Sequence, residues 1–417
     1  MGTAMLPSND SVMALGRAMG LGNQYNDILH RYLTNGGYYG SLNDQLRAAG
    51  AFTKPLVDVG NIFTGIDGGW YDPILPTLWD TSTGVAQVDA AEDPVGLWAD
   101  RRLGMVLGPE KITLAADREF SSDTGYWTKG AGWTISGGVA NANITTGQLT
   151  ANAGLAASKT YQITVTVTRT SGTLRVNVGG FTPVDFTTSG THTFRANTGA
   201  SGTPTLFFLA VTSFVGTIDN ISVKLLDGNH LIQATAPARL TYRVDAGGLP
   251  YVALLGTDDN VTSPTGGGGS AGFALVAAIN PAGGAGTLRT LWSDTGTNTG
   301  RKVQIDASNK LSFSAGNGAA FTTLASTATL DVGTPYVITV RDNGTTLSVQ
   351  INTAAAETVA RPVVSAGTTS FTVGKDNGAA SSYIIANAYH LFYVNNSGLT
   401  DSQIASEQAY ARSKIGL

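Results

Sequence analysis

The chain has 417 residues, 53 of them glycine, with 42% hydrophobic and 13% charged residues and a formal net charge of −4. This acidic balance, without a basic stripe, argues against nucleic-acid binding, and the apolar content is too high for wholesale disorder. Cysteine is absent, which excludes disulfides, a thiol nucleophile and thiolate metal centres.

The opening MGTAMLPSNDSVMALGRAMG lacks a basic region followed by a sustained apolar run, so no signal peptide is expected. No segment reaches the roughly 20 apolar residues that cross a bilayer as a helix. Residues 1–66 read as a helical region. NDILHRYLTNGG and GSLNDQLRAAGAF suit short helices, the second opened by Ser41 with Asp44 three residues on and ended by Gly50. Their apolar faces are narrow, and helices this short are marginal alone. The region is therefore expected to fold against the following domain or a partner subunit.

From Gly68 onward the pattern is β. In KTYQITVTVTRTSGTLRVNVGG, Tyr161, Ile163, Val165 and Val167 alternate with polar residues, and Leu174, Val176 and Val178 resume after a turn. That alternation predicts a hairpin with one wet face. TPYVITVRDNGTTLSVQINT repeats the device, with Tyr336, Ile338 and Val340 leading to an Asn343-Gly344 turn and then Leu347, Val349 and Ile351. Further strands are expected at 272–279, 287–293, 301–306, 309–314, 369–374 and 383–394. Short strands at this spacing predict antiparallel sandwiches, and TSPTGGGGSAG reads as a surface loop. At the end, Thr400 with Gln403 forms a capping-box pattern. A helix is predicted from Asp401 to about Lys414, burying Ile404, Ala405 and Ala409.

Two segments then carry a resemblance. GGWYDPILPTLWDTSTGVAQVDAAEDPVGLWADRR and GNHLIQATAPARLTYRVDAGGLPYVALLGTDDNVTSP resemble successive parts of laminin-G/concanavalin-A-like jelly rolls found in phage and prophage virion proteins. Between them, GPEKITLAADREFSSDTGYWTKGAGWTISGGVANA through GTIDNISVKLL is similar to carbohydrate-binding-module-like jelly rolls. The resemblance implies a mainly β chain of two antiparallel jelly-roll sandwiches, one inserted in the other. Residues 67–106 with 227–417 would form the split host, 107–226 the inserted sandwich, and 1–66 an anchoring region. Such an insertion costs little, because loop-closure entropy grows slowly with length and a sandwich whose ends emerge together resembles a short loop.

Enzymatic chemistry is hard to find. Glycoside hydrolysis needs two carboxylates flanking the bond, and the Glu-x-Asp-x-x-Glu strand of jelly-roll glucanases is absent; after residue 227 only Glu357 and Glu407 remain as glutamates. Of the four histidines, His30 falls on an N-terminal helix, His192 in a Thr-rich strand and His390 on the wet face of NAYHLFYV. His230, after Asn229, suits a turn hydrogen bond better than a ligand contact. Asp258 and Asp259, with Asn260, fit either an Asx turn or a calcium loop. The resemblance implies a second calcium position at Asp219, although Ser121 stands where the matching early acid would follow Phe120. Tyr126, Trp127 and Trp133 are the candidates for a sugar platform, since aromatic faces pack on pyranoses. Trp70, Trp79, Trp98 and Trp292 read as core or interface.

The resemblance implies a bacteriophage virion structural protein: a capsid decoration protein, head fibre or tail-associated fibre assembled in the host bacterial cytoplasm. Its partners would be other virion proteins, copies of itself (a trimer for a fibre) and host-surface glycans, with calcium as the one cofactor left open. The alternatives are a polysaccharide depolymerase and a standalone lectin-like adhesin.

Overall fold

The computed structural model describes residues 67–417 apart from 75–76, 103–104, 144–146, 181–182, 257, 378–381 and 396–397. The N-terminal helices, with Ser41, Asp44, Gly50 and His30, lie outside the described residues. The described chain is mainly β, in four antiparallel sheets, and ends in a helix. No described helix is long and apolar enough to cross a membrane.

Two nine-stranded sheets draw only on residues 68–98 and 231–394. One is centred on the neighbours Phe273–Pro281 and Ile385–Val394, the other on Phe371–Val373 and Arg289–Ser293. They share one core, in which Leu275 and Ile338 of the first sheet meet Val303 and Phe313 of the second. The chain leaves this body after Trp98 and returns at Leu231. Leaving and returning strands pair directly, Trp98 with Leu231 and Val95 with Leu240. Residues 107–226 make a six-stranded and a five-stranded sheet around a second core that includes Phe120, Ile163, Leu174 and Phe208. The second sandwich is held to the first by Arg195. Its backbone N–H donates to Thr83 O (2.7 Å), its guanidinium donates to Gly84 O (3.0 Å), and it stacks 4.3 Å above the Trp79 ring.

The hairpin expected at 161–178 does not form. Thr160–Ser171 pairs with Gly190–Asn197 and Val215–Leu226 in one sheet, whereas Leu174–Val178 pairs with Val184–Phe186 and Thr205–Ala210 in the other. The chain crosses between layers at Gly172, where φ is +74° and a Cβ would fall 2.3 Å from Thr212 O, leaving no room for a side chain. The second hairpin is as expected. Tyr336–Asp342 pairs with Thr346–Ile351, Gly344 has φ +93°, and Asn343 Oδ1 accepts from the N–H groups of Thr345 and Thr346.

The terminal helix spans Asp401–Ser413 with the Thr400/Gln403 capping box formed. Its buried stripe is Ile404, Glu407 and Ala411; Ala405 and Ala409 face solvent. The i, i+3, i+7 spacing runs through a carboxylate because that carboxylate has a buried partner. His390, expected on a wet face, is fully buried: the helix packs on the strands that would otherwise expose it.

Candidate functional site

In Thr205–Ala210 the side chains of Leu206, Phe208 and Ala210 are buried, so those of Phe207 and Leu209 stand on the outer face of the five-stranded sheet. Register sets their neighbours. Asn177 lies opposite Phe207 and Arg175 opposite Leu209; on the other side stand Thr150 and Gln148. Phe207, Leu209, Asn177, Arg175 and Gln148, together with Pro183, line a hollow of about 320 Å³.

 A separate hollow of about 480 Å³ lies at the edge of the six-stranded sheet. Arg175 grips Asp185 with two hydrogen bonds (2.7 and 2.8 Å), and that bond raises the guanidinium pKa. Asn177 Oδ1 is covered and has no hydrogen-bond partner. An apolar floor of Phe207 and Leu209 is therefore edged by two amides, a guanidinium and a carboxylate. That set suits a ligand with one apolar face and a rim of hydroxyls.

The edge hollow is lined by Trp133, Thr134, Asn141, Asn143, Thr170 and Thr217, with no charged side chain among its lining residues. Trp133 itself is buried, stacks on Phe214 (6.5 Å between centroids) and leaves Nε1 without a partner.

The other two platform residues sit elsewhere. Trp127 is turned into the core against Phe120 and Phe208, and its Nε1 donates to Asp117 O at 2.8 Å. Tyr126 is half-buried, packs edge-on against Trp127 and donates to Asn152 O. The three rings present no common exposed face, because an early strand of a small sandwich fills its core with its largest side chains. Trp79, Trp98 and Trp292 are buried, and Trp70 is half-buried under Arg101.

The acids read as calcium ligands are engaged in local bonds. Asp259 is buried and its Oδ2 accepts from Leu255 N–H at 2.7 Å, while burial raises its pKa. Asn260 Nδ2 donates to Asp258 O, and Asp219 accepts from the backbone and side chain of Asn220. Each of these contacts joins residues no more than four apart in the chain. Among the described residues no group of three or more His, Asp or Glu side chains is arranged to hold a metal ion.

His230 makes the turn contact expected of it. Its Nδ1 accepts from Asp100 N–H and its Nε2 lies 3.0 Å from Leu226 O; burial lowers its pKa to about 4. His192 Nε2 lies 3.1 Å from Thr188 O. His390 sits between Asp72 and Glu407, but all three are sealed from solvent. A histidine between two carboxylates resembles a proton relay, yet with no open face it can only hold the helix to the sheet.

No protein-family profile matches the chain, and no curated protein matches it. Partial likeness is to solved structures. The botulinum neurotoxin serotype G binding domain is 11% identical, with a TM-score of 0.33 over 44% of this chain and 49% of that one. A structure of botulinum neurotoxin type C, a toxin whose cell entry is dependent upon interaction with two ganglioside molecules, is 13% identical, with a TM-score of 0.33 over 43% and 48%. The chain matches about half the length of these structures.

Phe207, Arg175 and Asn177 were not among the residues singled out by sequence. The signal was present in TLFFLA: strict alternation puts one phenylalanine inside and its neighbour outside.

Proposed function

We propose that this chain is a display protein of a bacteriophage particle, anchored by residues 1–66, whose inserted sandwich contacts host-surface glycans without cleaving them. The glycan part rests on one observation: Phe207 and Leu209 form an outward apolar floor ringed by Asn177, Gln148 and the Arg175–Asp185 pair. The phage part is supported by the resemblance of the segments flanking residues 107–226 to virion jelly rolls. Capsid decoration, a head fibre and a tail-associated fibre all fit it, as does assembly in the bacterial cytoplasm. A single shallow sugar site is weak, and copies arrayed on a particle, as trimers for a fibre, raise the effective concentration of sites.

The test is a glycan array probed with the full-length chain and with Phe207→Ala. Losing the aromatic floor should weaken binding of any positive glycan about tenfold, equivalent to about 1.4 kcal/mol. Undiminished binding by the variant would remove this face as the site. Mass spectrometry of purified particles tests the virion assignment, and absence of the polypeptide would end it. Release of oligosaccharide from host capsule would favour the depolymerase instead.

A further inference from the structure

A second hollow, on the other sandwich, has a chemistry of its own. It measures about 290 Å³ and opens on the outer side of the sheet that carries the terminal helix. Asn280 and Asn387 face each other across the pair Phe273–Pro281 and Ile385–Val394. Asp245 enters from the turn between Leu240–Val244 and Pro250–Leu255, and Tyr389 and Pro335 complete the walls.

Each polar group has a defined state. Asp245 Oδ1 accepts from Gly247 N–H (2.8 Å) and Leu249 N–H (2.9 Å), which fixes the carboxylate in place. Tyr389 packs against Tyr251, 5.2 Å between centroids. Burial, then the charge of Asp245, push its phenol well above the ordinary range, so it keeps its proton. Asn280 Oδ1 is covered and has no hydrogen-bond partner. A covered acceptor left unpaired is costly, and the ligand that relieves it must donate.

The lining contains no lysine or arginine, so nothing there would balance a phosphate, sulfate or carboxylate. An ammonium would satisfy Asp245 and Asn280 Oδ1 but, as a single small group, would leave most of the 290 Å³ hollow unfilled. A neutral ring bearing several hydroxyls meets all of these demands, since each hydroxyl both donates and accepts. The volume lies at the small end of ligand sites, enough for a single ring. We propose that this hollow binds one neutral pyranose unit, held by Asp245, Asn280 and Asn387. The site shares its ligand class with the Phe207 face but uses none of its residues.

The experiment titrates full-length protein with methyl glycosides of glucose, galactose, mannose and rhamnose, followed by saturation-transfer NMR and calorimetry. Measurements are made on the wild-type chain and in the Phe207→Ala background, which carries the further substitutions, so that the two sites are separated. At least one glycoside should bind with millimolar affinity. Asn280→Ala should weaken it about tenfold, and Asp245→Asn, which keeps an acceptor for the turn, about threefold. Thermal melts confirm that both variants fold. Absence of binding by every glycoside in the Phe207→Ala background overturns the proposal, as does affinity unchanged within twofold in both further variants. Binding lost in Phe207→Ala alone would do so while leaving the sheet-face reading intact.

Discussion

Raising the pH should release the C-terminal helix before the rest of its sandwich. His390 Nδ1 lies 2.7 Å from Asp72 Oδ1 and its Nε2 lies 2.6 Å from Glu407 Oε1, all without solvent contact. A neutral imidazole donates from one nitrogen only, so two carboxylate contacts hold the ring doubly protonated. Burial alone would lower its pKa; the bonds and charges of Asp72, then Glu407, outweigh it and raise the pKa to about 9. Against about 6.5 in the unfolded chain, the gap corresponds to roughly 3 kcal/mol. Because the folded pKa is raised, this stability is complete below about pH 6.5 and is lost as the pH climbs through about 9. Asp72, also faced by Arg101, Tyr410 and Lys414, is held well below the usual carboxylate range: burial pulls its pKa up, and the His390 bond with the charges of His390, Lys414 and Arg101 together outweigh it. That shift reports the same contact from the other side and is not added. Hydrogen exchange of peptides covering Asp401–Ser413, corrected for the intrinsic rate, reads the opening equilibrium directly. Between about pH 6.5 and 9.5 it should rise on the order of 100-fold or more, with Phe273–Pro281 nearly unchanged. His390→Gln should be open at both ends and flat between. A wild-type change below about threefold would refute the reasoning.

Two further substitutions test the architecture. Asn229→Ala removes a buried amide that donates to Asp67 (2.8 Å) and Gly68 O (2.7 Å) and accepts from Thr265 (2.8 Å). Thermal unfolding should show a loss of about 2–4 kcal/mol, and a loss under about 0.5 kcal/mol would mean that strand pairing alone closes the split sandwich. Gly172→Ala should cost at least about 2 kcal/mol in urea unfolding, since it adds a clash to a left-handed backbone. Gly248→Ala, at φ +81° with open space around it, should cost only about 1 kcal/mol, and equal losses would discard the layer-crossing explanation.

The junction shows why a sandwich tolerates being opened for another. Asp100 and Asn229, on the outgoing and returning strands, bond to each other: Asp100 Oδ2 accepts from Asn229 N–H at 2.8 Å. The same carboxylate accepts from the N–H groups of Trp70 and Arg102, and burial pushes its pKa up to about 6 against the pull of Arg102 and those donors. His230 returns a bond to Asp100 N–H. The Asp100 carboxylate is thus held by backbone N–H groups of the host, and the inserted sandwich contributes Leu226 O to His230.

Alternation carried most of the strand boundaries, because a side chain that enters a core repeats every second residue whatever its partner. The same fact hid which layer a strand joins. Leu174, Val176 and Val178 are buried as expected, but their alternation is identical in a hairpin and in the opposite sheet. Only Gly172, with no space for Cβ, distinguishes the crossing, and a glycine between strands reads equally well as a turn. Charge concealed more. Alternation places His390 on a wet face, yet it and Glu407 lie 17 residues apart in sequence and 2.6 Å apart in space. With Asp72 more than 300 residues away, the third member of that set is reached only through the fold. The burial of Trp127 and Trp133 has a related cause: tryptophans draw notice by size, while size is what draws them inward. Phe207 is smaller, sits beside its buried twin Phe208, and is outward because the strand permits only one of the two to be inside.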